Sequence, residues 1–299
     1  MSRMLLNVSH VSKTYTRGGI FGRKAFQAVS DVSFALAGDP PEVFTIIGES
    51  GSGKTTLARM MLKMTTPTIG EIRFKGQDIS AIRHRGARLA FMKEVQPIFQ
   101  NPFEAFNPLK QVDRYLLMTA RNFAEAKSQA DADRAADNAL QKVGLSMAEV
   151  RGRFPHELSG GQLQRVAVAR ALISGPSLIL ADEPVSMVDA SLRMSIVNLF
   201  KTLRDDLKVS IIYITHDLAT AYSISDRIMI MQKGQVVESG SAREVLDNPT
   251  HPYSQLLKSS VLSPDPLGKG VLTGSSVATR QARDAPSHDR APLNPVHLE

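Results

Sequence analysis

The chain has 299 residues, 42% of them apolar, and a formal net charge of +7, the composition of a globular protein long enough for one large domain or two ordinary ones. It has no cysteine, which excludes disulfides, thiolate zinc sites, cysteine-ligated clusters and a catalytic thiol, and fits a reducing compartment such as the cytoplasm. Lys and Arg are scattered among acids, with no basic run interleaved with aromatics, so the charge does not point to nucleic acid.

The opening MSRMLLNVSHVSKTY carries too short an apolar run for a signal peptide. Later stretches such as Ser177 to Ala181 and Ile211 to Ile214 fall far below the roughly 20 residues of a spanning helix. A link to a membrane is therefore expected to run through a partner.

Val43 to Ile47, VFTII, is a β-favouring run without alternation, as expected of a parallel strand covered on both faces. It leads into Gly48, Glu49, Ser50, Gly51, Ser52, Gly53, Lys54, Thr55 and Thr56, and then into the helical pattern Leu57 to Lys63. This is the strand and helix context that a P-loop requires. Its glycines let backbone N–H groups turn inward around phosphates, Lys54 reaches the β and γ phosphates, and Thr55 offers a hydroxyl to Mg²⁺.

From about Ala87 to Glu157 the texture changes. After Gln100-Asn-Pro-Phe and Asn107-Pro, the segments Val112 to Phe123 and Ala130 to Val143 place apolar residues at helical spacing, among them Ala132, Ala135, Ala136, Ala139, Leu140 and Val143, and Gly144 is a stop. This predicts a small helical subdomain inserted into the α/β core, although a plain run of crossover helices would leave the same pattern.

RFPHELSGGQLQRVAVARALI follows. Ser159 and Gln162 have the spacing of a capping box, and Leu163, Val166, Ala167 and Ala169 to Leu172 continue a buried helix. Gly160 and Gly161 would let a phosphate approach, yet no lysine is present to meet its charge. On its own residues the stretch is either a simple capped helix or half of a phosphate site.

Two further strand-like runs are Leu178 to Ala181 and Val209 to Ile214. Asp182 and Glu183 follow the first, Thr215 and His216 the second. Open α/β sheets place ligands outside the carboxyl ends of their strands, so three segments are expected to converge on one crevice. Asp182 suits a Mg²⁺ ligand and Glu183 a proton acceptor for water attacking a γ-phosphate, although a DE pair before Pro184 would also open an ordinary turn. The other six histidines form no HExxH-like spacing. Ser263 to Glu299 holds five of the sixteen prolines and few large apolar residues, and is expected to be a flexible tail. No solenoid-length repeat or sustained heptad occurs.

Together these residues resemble the ATP-binding cassette ATPases, from about Leu5 to Leu262, with LSGGQ the most specific of the motifs. The resemblance implies an α/β P-loop core with an inserted α-helical subdomain and an antiparallel β subdomain. It divides the chain into 1–86 and 158–250 as the core, 87–157 as the helical subdomain, 251–262 as an extension and 263–299 as the tail. It implies that Tyr15 stacks on adenine, that Gln100 in IFQNP senses Mg²⁺ and the attacking water, and that Asp182 binds metal with Thr55. Glu183 is then the catalytic glutamate and His216 the switch histidine. Ser159, Gly160, Gly161 and Gln162 would meet the γ-phosphate of ATP held by the opposite subunit, and Asp189 in SMVDAS would communicate between sites. Met187 and Val188 depart from the smaller residue and leucine common there.

Within the family, His251-Pro-Tyr-Ser resembles the HPYTQ-like element of the peptide and nickel importer group, as does the insertion Arg17 to Lys24; members commonly continue into a Cys-containing segment, and the corresponding region here has no Cys. The resemblance implies ATP and Mg²⁺, a second cassette in a homo- or heterodimer, two membrane-spanning permease subunits and, indirectly, an extracytoplasmic solute-binding protein. It places the chain at the cytoplasmic face of the inner membrane. The alternative is the ATPase component of a phosphonate carbon–phosphorus lyase complex, which ends in a similar HPYTQLL-like element. A DNA-repair cassette would require coiled coils or a basic groove.

Overall fold

The computed structural model describes residues 4–19 and 22–261. It begins with an antiparallel ribbon of β1 (Met4–Gly19) and β2 (Gly22–Ala37), whose far end pairs Arg17 with Lys24. There follow β3 (Val43–Ile47), α1 (Lys54–Met61), β4 (Ile69–Phe74), β5 (Gln77–Asp78), α2 (Arg85–Glu94) and β6 (Val95–Ile98). The helices α3 (Val112–Phe123), α4 (Gln129–Lys142), α5 (Met147–Val150) and α6 (Gly160–Leu172) come next. The remainder is β7 (Leu178–Asp182), α7 (Ala190–Asp205), β8 (Ser210–Thr215), α8 (Leu218–Ile224), β9 (Arg227–Gln232), β10 (Gln235–Ser241), α9 (Ala242–Asp247) and α10 (Pro252–Val261).

The strands make a four-stranded antiparallel sheet, order β2-β1-β4-β5, and a six-stranded sheet, order β10-β9-β3-β8-β7-β6. The second is parallel except for its β9–β10 hairpin edge. The three runs expected as parallel strands are its adjacent centre, β3-β8-β7. Their registers, Ile47 opposite Thr215 and Asp182 opposite Ile214, bring their carboxyl ends level.

Side chains alternate between two cores. Ile211 and Tyr213 join Ile196, Val197 and Phe200 of α7 on one face, where the Tyr213 and Phe200 rings meet edge to face at 5.7 Å. Ile212 and Ile214 join Leu57, Met60 and Met61 of α1, together with Leu6, Val8 and Leu36 of the ribbon, on the other. Every residue of β3 and β8 is buried, which is why these segments read as unbroken apolar runs.

The helices α3 to α6 share one packed core. Val112, Leu116 and Ala120 of α3 pack with Ala132, Ala136, Ala139 and Leu140 of α4 and with Leu163 and Val166 of α6. Gly144, at φ +72°, ends α4 in a left-handed turn that returns the Leu145 N–H to the Leu140 carbonyl. The range 87–157 also contains β6, which returns to the core sheet as its edge strand beside β7. Pro97 is tolerated there because an edge strand leaves one side unpaired. At the opposite end, α8, α9 and α10 close a smaller core around Ile47, Leu218, Ala221, Ile228, Ile230 and Tyr253. Among the described residues no helix is long and apolar enough to cross a membrane. The tail expected over 263–299 lies outside the described residues.

Candidate active site

The loop after β3 is shaped by positions that cannot carry a side chain. A Cβ at Gly48 would stand 2.2 Å from the Met231 carbonyl oxygen, and one at Gly53, whose φ is +103°, would stand 2.4 Å from that of Ala28. Gly53 is the N-cap of α1 and gives it no side-chain cap, so the first amides of the helix open towards the loop. Lys54 is only 5% exposed. Its Nζ donates to the Gly48 and Glu49 carbonyls at 2.5 and 2.8 Å. Burial lowers its pKa, opposed by the carboxylates of Glu183, Asp182 and Glu49. Ser52 Oγ is buried with no partner among the described residues. A buried cation, an orphaned hydroxyl and a helix N-terminus around one loop form a cradle for phosphate.

The other two strand ends complete the cleft. Burial raises the pKa of the Asp182 carboxylate, reinforced by the charge of Glu183 and opposed by the neighbouring Thr55 and Lys54. Glu183 adopts a left-handed φ of +47° and donates its N–H to the Ile214 carbonyl at 2.8 Å, tying the end of β7 to β8. Such a backbone costs a non-glycine residue of order 1–3 kcal/mol and is retained where the surroundings demand it. It turns the carboxylate so that Oε2 accepts from Gln100 Nε2 at 3.0 Å and Oε1 lies 3.1 Å from His216 Nδ1. Glu183 is 18% exposed and His216 61%, so the acid is sheltered beneath an accessible imidazole.

Gly48, Lys54, Thr55, Gln100, Glu183 and His216 share one open cleft of about 690 Å³. Thr55, Gln100 and Asp182 line an adjoining cleft of about 310 Å³. One carboxylate, one hydroxyl and one amide are the sparse hard-oxygen donors that suit Mg²⁺ carried mainly by phosphates and water. Among the described residues no group of three or more His, Cys, Asp or Glu is gathered for a metal.

Several expected residues stand apart from this cleft. Tyr15 is not in its lining; Phe26, directly opposite Tyr15 across the β1–β2 ribbon, is. Sequence reasoning missed Phe26, whose 61% exposure on a strand is set by the folded ribbon and leaves no mark in the sequence. Ser159 and Gln162 form the expected capping box, with Ser159 Oγ accepting from the Gln162 N–H at 3.2 Å and Gln162 Oε1 accepting from the Ser159 N–H at 3.0 Å. A Cβ at Gly160 would be 3.2 Å from the Met187 carbonyl, and one at Gly161 3.2 Å from a Leu192 methyl. The glycines therefore pack against the segment bearing Asp189, whose exposed side chain makes no cap bond to α7. This second patch is absent from the lining of the cleft.

A family model described as ABC transporter matches residues 29–186. One described as oligopeptide/dipeptide transporter, C-terminal region, matches residues 237–285. The chain is similar to the oligopeptide transport ATP-binding protein AppF of Bacillus subtilis (strain 168), 40% identical over 260 residues, which cover 86% of this chain and 78% of the relative. It is also similar to OppF of Streptococcus mutans serotype c, 40% identical over 267 residues, covering 89% of this chain and 84% of the relative. Among solved structures, a dimeric post-hydrolysis state of an ATP-binding cassette bound to ADP and Pi aligns with a TM-score of 0.70 at 26% identity, over 80% of this chain and 99% of that one.

Proposed function

The chain belongs to the ABC transporter family as one of its ATP-hydrolysing cassettes, and from that premise we propose that it powers the uptake of oligopeptides through membrane-spanning partners. The observation that carries the reading is the convergence of Lys54, Thr55, Gln100, Glu183 and His216 on one cleft at the level ends of β3, β7 and β8. The relatives named for oligopeptide transport favour this reading over the carbon–phosphorus lyase alternative.

In this reading the amides of Gly48 to Thr56 and the N-terminus of α1 cradle the phosphates of ATP, and Lys54 exchanges its two loop carbonyls for phosphate oxygens. Ser52 donates its hydroxyl there. Tyr15 and Phe26, paired across the ribbon, form the aromatic edge for adenine. Thr55, Asp182 and Gln100 would hold Mg²⁺, which would supply positive charge to offset that of the phosphates. Glu183 takes a proton from water as the water oxygen bonds the γ-phosphorus and the bond to the β-phosphate oxygen breaks, leaving ADP and phosphate. Gln100 and His216 hold the Glu183 carboxylate in place for that transfer.

Ser159, Gly160, Gly161 and Gln162 face the γ-phosphate of ATP bound to a second cassette, identical or not, and Asp189 packs at the same junction. The lysine missing from this patch is then the partner's counterpart of Lys54. The helical segment α3 to α5 transmits cassette closure to two permease subunits at the cytoplasmic face of the membrane, with a solute-binding protein delivering peptide outside.

The test is affinity purification of the tagged chain from detergent-solubilised membranes, followed by reconstitution into vesicles. Recovery of two membrane-spanning subunits and ATP-dependent uptake of labelled oligopeptide is the expected result. Recovery of a soluble enzyme complex in place of membrane subunits would overturn the transport reading.

A further inference from the structure

The segment at the start of α10 touches the loop that closes on phosphate. The Glu49 N–H donates to Tyr253 Oη at 3.0 Å, across 204 positions of sequence. Burial raises the pKa of that hydroxyl, and the neighbouring Glu49 carboxylate adds to the rise. The N–H of Glu49 and the carbonyl of Gly48 belong to one peptide unit, and that carbonyl accepts from Lys54 Nζ at 2.5 Å. Tyr253 and Lys54 thus hold the two ends of a single peptide. Gly48 gives that peptide unusual rotational freedom, since the residue has no Cβ to restrict it.

Tyr253 is itself firmly placed. It is 5% exposed and packs among Ile47, Leu218 and Ile230. The chain enters α10 over Glu238, whose carboxylate accepts from Thr250 N–H at 2.8 Å, Thr250 Oγ1 at 3.0 Å and His251 N–H at 3.2 Å. His251 Nδ1 in turn accepts from the Tyr253 N–H at 3.2 Å. One helical turn on, Leu257 lines the same cleft as Lys54 and Glu183.

We propose that Tyr253 is a positioning residue of the nucleotide site, and that through it the C-terminal segment 251–261 sets the affinity for ATP. When Lys54 leaves the Gly48 carbonyl for a phosphate, the hydroxyl of Tyr253 is what keeps the Gly48–Glu49 peptide oriented. The same hydroxyl neighbours the Glu49 carboxylate, an anion at the rim of an anion site, where free movement would oppose phosphate binding. The pair of an acid at the second loop position and a tyrosine after His251-Pro is one device built from two distant parts of the chain. The inference rests on the cleft binding ATP.

The test compares wild type, Tyr253→Phe, Glu49→Gln and the double variant by equilibrium binding of ATP, steady-state hydrolysis and thermal melting without nucleotide. Phe keeps the ring in its core and removes only the hydroxyl. Tyr253→Phe is expected to weaken ATP binding and raise KM by about fivefold, the effect of one lost hydrogen bond, with kcat held within about twofold. In the Glu49→Gln background the same change should have a smaller effect, because the carboxylate charge is gone. Wild-type ATP affinity in Tyr253→Phe, with or without a lower melting temperature, would reduce Tyr253 to a core residue and overturn the proposal. Failure of the wild type to bind ATP would instead overturn the reading of the cleft, and the clamp with it.

Discussion

His216 Nδ1 lies 3.1 Å from Glu183 Oε1, while Gln100 Nε2 donates to the other oxygen at 3.0 Å. One carboxylate is therefore held from both sides by side chains that follow two other strands. An acid fixed in this way is set to receive a proton along a defined direction, and its role is tested by removing only its basicity. Glu183→Gln keeps size and hydrogen-bonding capacity. It is expected to retain ATP binding while turnover falls by about 10²–10⁴-fold, the range of general base catalysis. Phosphate release and equilibrium nucleotide binding measure the two quantities; full turnover would remove Glu183 from the proton transfer.

Asp182 carries a stability cost that its proposed role as a metal ligand would explain. Burial raises its pKa, reinforced by Glu183 and opposed by Thr55 and Lys54. A carboxyl raised in the folded state contributes stability that is fully present below its unfolded pKa, about 3.9, and is lost as pH rises through the folded value. Above that folded value the apo protein holds this group ionised at a cost. Asp182→Asn should melt no lower than wild type at pH 8 while losing Mg²⁺-dependent hydrolysis, and any advantage should shrink on acidification towards pH 5. Melting curves of both proteins over that range check the sign. A variant markedly less stable than wild type at pH 8 contradicts it.

Local chemistry made much of the site legible. The central strands could be read because burial on both faces leaves apolar runs, and Ser159 to Gln162 because a capping box has fixed spacing. β6 was hidden inside 87–157 because four residues including Pro97 give no period. Phe26 was missed because cross-strand pairing with Tyr15 depends on a register that neither segment states. The Glu49–Tyr253 contact had no local signal at all, since it is made by packing of α10 against the end of β3. The left-handed turn at Glu183 was equally invisible, because an acid before Pro184 does not advertise a positive φ.

Gly53 gives a stability prediction with a functional readout. Its φ of +103° and the Ala28 carbonyl oxygen 2.4 Å from a would-be Cβ leave no room for alanine without movement of β2 or of the loop. The backbone alone should cost Gly53→Ala about 1–2 kcal/mol, with the clash adding to it. The expected outcome is a lower melting temperature together with loss of ATP binding, measured by calorimetric titration. Wild-type affinity would show that the loop does not need this shape to hold phosphate.

Ser159→Arg separates the two halves of the proposed shared site. Ser159 is exposed at the N-terminus of α6 and lies outside the lining of the chain's own cleft, so a long side chain fits there without disturbing Lys54 or Glu183. Its loss as an N-cap costs about 1 kcal/mol of helix stability. In the proposed sandwich the larger consequence falls on the partner, because a guanidinium would occupy the space into which a second cassette would bring its γ-phosphate. In a Glu183→Gln background, where bound ATP is not consumed, the variant should bind nucleotide with unchanged affinity as a monomer and fail to dimerise with ATP. Light scattering with and without ATP reads the assembly, and titration reads the affinity. A dimer that forms as readily as with Ser159 would remove this patch from the nucleotide interface, and weaker monomer affinity would place it in the chain's own site.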